Sequence, residues 1–198
     1  QVKDWFESIK NIAFYTFDEM LCSLNHLTKY PATRSMIVMA CYQMFFKLTD
    51  FNVAYGATIS GLAEENILQL SQTQPQRVKV KWSDSILNDI KKIKQLPFKP
   101  DVVIDANESI TNSEIAKLTT IGYDQLLYIE EPFKSLNMLN QFDAYELPPV
   151  AIDEKADTID NILEVIDDFA IDVVVLKPFR LGGIDKVMNA IKMLKDKN

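Results

Sequence analysis

Apolar and polar positions along the first 50 residues recur with helical spacing. In VKDWFESIKNI, Val2, Trp5, Phe6 and Ile9 fall three and four residues apart and predict one amphipathic helix. A second helical segment, TFDEMLCSLNHLTKY, opens on Thr16, a hydroxyl residue suited to an N-cap, and stops before Pro31. The third, ATRSMIVMACYQMFFKL, is apolar almost all round. That pattern predicts a buried helix, with Met36, Met39 and Met44 as adaptable core filler. From Val53 the texture changes. Short β-branched runs (VAYGATI, RVKVKW, DVVIDAN, LLYIEEP, PVAIDEK and DVVVLKP) alternate with amphipathic segments such as SDSILNDIKKIKQL, NSEIAKLTTIG, LNMLNQFDAYEL, TIDNILEVIDDFA and GIDKVMNAIKMLK. Strand and helix in strict alternation predict an α/β fold on a parallel sheet. The strand interiors are apolar on both faces, as a sheet covered by helices requires.

The polar residues of these strands collect at their C-terminal ends: Lys79 and Lys81, Asp105 and Asn107, Glu130 and Glu131, Asp153 and Glu154, and Lys177. Lys81, Asp105, Glu130, Asp153 and Lys177 follow one another at intervals of 24, 25, 23 and 24 residues. One charged side chain per βα unit, always at the same end, is how a (β/α)8 TIM-type barrel builds an active site. The competing architecture, an open doubly wound sheet, gathers its ligands at a single switch point. In RVKVKWS, Val78, Val80 and Trp82 form one strand face and Lys79 and Lys81 the other. Alone, such a face is solvated, EEP and DAN are strand ends running into loops, and LGG at Leu181–Gly183 is a turn before a helix. The ordered recurrence is what turns the lysines inward.

Composition removes several classes of function. A chain of 198 residues suits one large domain or a domain with a smaller piece. A net charge of −7 and a pI near 4.8 argue against nucleic acid or an anionic membrane surface as partner. The two cysteines, Cys22 and Cys41, form neither a disulfide framework nor a CxxC site, so a reducing, cytoplasmic location is expected. No signal peptide is visible, and no apolar run reaches the roughly 18 residues of a membrane helix. Five glycines leave no GxGxxG or GxxxxGK[ST] nucleotide loop. His26, the single histidine, falls in a helical segment and reads as a surface or half-buried residue.

Three acids, Asp105, Glu130 and Asp153, are brought to neighbouring strand ends. Carboxylates so placed repel unless one takes a proton or a cation sits among them. An all-oxygen set calls for a hard ion, Mg2+ before Mn2+ or Ca2+. Lys81 precedes this set by one strand and Lys177 follows it by one. Metal, acids and lysines together suit removal of the proton α to a carboxylate, with the metal stabilising the enediolate. A lysine acting as base needs a pKa lowered toward neutrality, which burial and a neighbouring cation such as Lys79 would supply.

As a set, VKVKW, VVIDAN, YIEEPF, AIDEK and VVLKPFRLGG resemble the enolase superfamily, and within it the o-succinylbenzoate synthase branch, some of whose members also racemise N-succinylamino acids. The resemblance runs from about Val53 to the end, and the helical residues 1–50 resemble the later part of that family's capping domain. It implies Lys81 as the acid/base on the second barrel strand and Lys177 as the lysine on the sixth. It implies Asp105, Glu130 and Asp153 as Mg2+ ligands, and Lys79 and Asn107 as substrate-contacting or electrostatic support. Glu131 and Glu154 would stand behind them, with Thr58 and Ser60 near the substrate. The implied substrate is a small carboxylate. The synthase reaction dehydrates 2-succinyl-6-hydroxy-2,4-cyclohexadiene-1-carboxylate in menaquinone biosynthesis; in the racemase reaction the two lysines serve opposite faces. The 146 residues from Val53 to Asn198 make about six units, where a complete barrel takes about 250 residues. Residues 51–198 are therefore expected to be strands one to six of a longer barrel. The open arc leaves two edges, which invites association, homo-oligomers included. An inactive truncated homologue acting only by association is the non-enzyme alternative.

Overall fold

The structure, a computed structural model, describes residues 2–197. In chain order the helices and strands are α1 (Val2–Ile9), α2 (Phe17–Cys22), α3 (Pro31–Phe45), β1 (Gly56–Ile59), α4 (Glu64–Thr73), β2 (Arg77–Lys81), α5 (Ile86–Lys94), β3 (Asp101–Asp105), α6 (Ile115–Thr119), β4 (Tyr128–Glu130), β5 (Val150–Ile152), α7 (Ile159–Asp168), β6 (Val173–Val174), α8 (Pro178–Leu181) and α9 (Ile184–Lys197). They divide into two compact units. One comprises Gln1–Phe51, Lys155–Leu163 and Leu176–Asn198; the other Asn52–Glu154 and Glu164–Val175. No helix of the described residues is long and apolar enough to cross a membrane.

In the first unit, Trp5, Met20, Leu24, Leu27, Ile37 and Val38 form one buried cluster. Helix α2 starts where the sequence predicts. The Thr16 hydroxyl accepts the Glu19 N–H at 3.2 Å and the Glu19 carboxylate reaches back to the Thr16 N–H, a capping box. Helix α3 begins with Pro31 in its first turn. The expectation of an all-round buried α3 is corrected. Its buried residues, Arg34, Ser35, Ile37 and Val38, form one stripe, while Met36 and Met39 are exposed and Met44 is 80% exposed. A helix buries only the face its neighbours cover, and the cluster around Trp5 covers one.

The second unit is built on a six-stranded sheet in the order β1-β2-β3-β4-β5-β6, every pair parallel. Strands paired in strictly sequential order wind in one direction, as in a barrel; a doubly wound sheet would reverse its order at a switch point. Val78, Val80, Val103, Ile104, Ile129, Ala151 and Ile152 are fully enclosed. Two segments differ from the pattern. LNMLNQFDAYEL, read as an amphipathic helix, forms only a 3-10 helix at Leu136–Gln141. Its buried residues Leu136 and Leu139 are three apart, the spacing that eclipses side chains in a 3-10 turn. Helix α4 carries a single buried residue, Leu70, so its apolar signal is weak.

Candidate functional site

The sheet register sets the site. Lys81 pairs with Asp105, and Asp105 with Glu130, so these three residues lie in one row across three strand ends. That row continues to Ala151, which leaves Asp153 two residues further along the next strand. Strand β2 alternates as its sequence demands, with Val78 and Val80 fully buried, Lys79 half-buried and Lys81 exposed.

The second face of β2 therefore meets acids. The Lys79 ammonium lies 2.6 Å from Glu130 Oε2 and 3.2 Å from Asp105 Oδ2. Burial pulls its pKa down, but hydrogen bonds and charge from Glu130 and Asp105 outweigh that and the net shift is up, so Lys79 stays a cation. Glu130 is 2% exposed. Burial pushes its carboxyl up to about 7; the Lys79 hydrogen bond pulls it down, and the buried Asp153 carboxyl beside it pushes it up again. Oε1 of Glu130 meets no hydrogen-bond donor. A hydrogen bond between Glu130 and Asp153 thus needs a proton on one of the two acids.

Loop geometry holds the acids in place. Glu131, fully buried with φ +43°, accepts the Asp153 N–H on its Oε1 at 2.9 Å. Asn107 and Glu108 are also left-handed, at φ +46° and +60°. Such a pair costs roughly 1–2 kcal/mol per non-glycine residue, less for Asn. The loop is held by Ala106 N–H on Glu130 O at 3.0 Å, Glu108 N–H on Glu131 O at 2.7 Å and Ile110 N–H on Pro132 O at 3.2 Å. Beside the acids a cleft of about 420 Å3 is lined by Lys81, Trp82, Asp105, Ala106, Asn107 and Ser109.

The structure thus brings Lys79, Asp105, Glu130 and Asp153 together and sets Lys81 and Asn107 along the cleft with Asp105. Lys177 lies in the first unit, as the N-cap residue of α8, with its carbonyl accepting the Arg180 and Leu181 N–H groups at 3.0 Å. Thr58, in register with Lys79, is exposed, as are Ser60, Glu154 and His26. Among the described residues no group of three or more His, Cys, Asp or Glu side chains is arranged to hold a metal ion. Lys79 stands between Asp105 and Glu130 instead. The donor chemistry still fits a hard divalent cation: the acceptors are all oxygen, Asp105 and Glu130 both face the Lys79 ammonium, and Glu130 Oε1 is a buried acceptor with no hydrogen-bond partner. Sequence reasoning passed over Glu114, which binds the Trp82 indole N–H at 2.9 Å. Its signal was the T-x-x-E spacing from Thr111, a capping box that the structure contains.

A family model described as Enolase C-terminal domain-like matches residues 63–198. Among solved structures, a probable mandelate racemase from Alicyclobacillus acidocaldarius is 20% identical at a TM-score of 0.74, over 97% of this chain and 56% of that one. An enolase-superfamily member from Enterococcus faecalis is 19% identical at 0.75, over 97% and 57%. Muconate lactonizing enzyme from Pseudomonas putida is 19% identical at 0.74, over 93% and 58%. At these identities the likeness shows the fold. The chain spans less than three fifths of the length of these three proteins. No curated protein sequence matches it.

Proposed function

This chain belongs to the Enolase C-terminal domain-like family, and from that premise we propose that it carries the site of a Mg2+-dependent enzyme removing the proton α to a carboxylate, with o-succinylbenzoate synthase as its activity. One observation carries the reading: Lys81, Asp105 and Glu130 are register mates at the ends of consecutive parallel strands. In this reading Lys81 is a base beside two ligands for a hard ion. Residues 1–50 are then helices of a capping domain, and 51–198 the first six strands of the barrel.

In this reading Asp105, Glu130 and Asp153 hold the ion, which when bound supplies a positive charge for the substrate carboxylate and for the negative charge that develops on proton removal. Lys81, open to the cleft, takes the α-proton on Nζ and returns it to the departing hydroxyl. Asn107 offers amide donors to the substrate's oxygens. Lys79 keeps Asp105 and Glu130 paired and oriented when no ion is present. Lys177 is the second lysine of this reading.

The test is a side-by-side assay on the cyclohexadiene carboxylate and on N-succinylamino acids, with and without Mg2+. Dehydration dependent on Mg2+, reduced 100- to 10,000-fold in Lys81→Ala, is expected. Turnover unchanged in Lys81→Ala would sink the assignment of the base. Racemisation without dehydration would move the activity to an N-succinylamino acid racemase acting through the same residues. No turnover of either would leave the associating homologue.

A further inference from the structure

Trp82 follows Lys81 and its backbone N–H donates to Asp105 O at 2.8 Å, so it is fixed to the row that carries the site. Its side chain is fixed as well. The indole Nε1 donates to Glu114 Oε1 at 2.9 Å. Glu114 is itself anchored, its Oε2 accepting the Thr111 N–H at 3.1 Å and the Thr111 hydroxyl at 2.9 Å. The Lys117 ammonium lies 5.2 Å from the indole ring centroid, and pairs with Asp84 at 3.3 Å and Glu114 at 3.4 Å. None of Glu114, Lys117 and Asp84 lines the cleft; Trp82 does.

The polar edge of the indole is thus consumed by Glu114, which does not line the cleft, while Trp82 itself does. Lys81, Asp105, Asn107 and Ser109 supply the polar lining. A cleft that combines an ammonium, an amide and a hydroxyl with a clamped aromatic fits a carboxylate that also carries a flat, apolar portion. We propose that Trp82 is a specificity-determining residue, packing against the unsaturated ring of the substrate while the polar residues hold its carboxylate. This rests on the reading of the cleft as the substrate site. A Trp82 that served only to fasten β2 to α6 would affect stability and leave the choice of ligand alone.

The experiment titrates the Mg2+-loaded protein with o-succinylbenzoate, which has the ring, and with succinate, which lacks it, following tryptophan emission and measuring Kd by calorimetry. The proteins are wild type, Trp82→Phe and Trp82→Leu. Ring-bearing ligand should change the emission of the wild type, and this change should vanish in Trp82→Phe, where Trp5 alone remains. Trp82→Leu should weaken o-succinylbenzoate about tenfold and succinate less than twofold, and Trp82→Phe, which keeps a ring, should recover most of the loss. With turnover as readout, KM should rise and kcat and its pH profile stay in place. The proposal is overturned if Trp82→Phe loses both ligands equally, or if the Trp82→Leu protein, folded by circular dichroism, binds both like wild type. Ring-selective binding without turnover would uphold Trp82 while sinking the proposed reaction, so the two failures are distinguishable.

Discussion

Removing the carboxylate of Asp185 strands a guanidinium. Arg34, 5% exposed, sends Nη1 to Asp185 Oδ1 at 2.9 Å, Nη2 to Asp185 Oδ2 at 2.8 Å, and Nη1 to Gly182 O at 2.7 Å. Its Nε has no partner. An arginine does not escape by losing its proton, so Asp185→Ala leaves a buried charge with one carbonyl for company. Breaking a buried pair from one side costs about 3–5 kcal/mol. Because Asp185 is 16% exposed and the Gly182 bond survives, the lower end, about 3 kcal/mol, is expected. Arg34→Met leaves a carboxylate that reaches water and should cost less, about 2 kcal/mol. Joining Arg34→Met with Asp185→Leu removes both desolvated charges, and the double variant should return to within about 1 kcal/mol of wild type. Urea titrations followed by far-UV circular dichroism give the three differences and the coupling between them. If Asp185→Ala costs under about 0.5 kcal/mol, or if the double variant costs the sum of the singles, the pair is not the buried fastener between α3 and the first turn of α9 that its geometry describes.

Gly183→Ala should destabilise by about 1–3 kcal/mol in the same titration, because Gly183 has φ +143° and a Cβ there would stand 2.7 Å from Asp185 Oδ1, an oxygen that Arg34 prevents from moving. The Trp82 indole, then the Thr111 N–H, hold the Glu114 carboxyl at about 2 against an ordinary 4.5. A depressed carboxylate stabilises above its unfolded pKa, so the gap between wild type and Glu114→Gln should be flat from pH 6 to 8 and close as pH falls from 4.5 toward 2; with Glu114 24% exposed its size is about 1 kcal/mol after solvent screening. Glu131→Leu should lower Mg2+ affinity about 10- to 100-fold by calorimetry, since it removes the acceptor that fixes the Asp153 backbone, whereas Glu131→Gln keeps an acceptor and should lose under tenfold. Chelation by EDTA should abolish turnover and leave the circular dichroism spectrum unchanged, because Lys79 already offsets Asp105 and Glu130; unfolding on chelation would refute that role.

How far the sequence could be read depended on whether a feature belonged to the backbone period or to side-chain reach. The βα alternation, the Thr16 cap and the strand ends carrying Lys81, Asp105 and Glu130 are periodic, and one residue per 24 or 25 maps onto one step of the register. Asp153 shares that interval to within two residues yet stands two positions past the row, because Glu130 pairs with Ala151; spacing along the chain does not record a shift between strands. The six-residue 3-10 turn at Leu136–Gln141 was hidden for a similar reason, since apolar residues three apart satisfy both helical periods. Met36, Met39 and Met44 were misread as core because an apolar face says only that burial would be favourable, and not that a neighbour is there to provide it. The same limit applied to Lys79. Its period placed it beside Lys81, on the inward face, and charge alone suggested that it would depress its neighbour's pKa. What decided its place was reach: four methylenes carry its ammonium past Asp105 to Glu130 on the second strand over, into the space between two acids. A set of carboxylates gathered for a divalent ion repels itself whenever the ion is away, and burial raises the cost, as Glu130 shows by holding its proton up to about 7. An ammonium two residues from Lys81, the base of the proposed reaction, and long enough to reach both acids would let such a site fold before it is loaded.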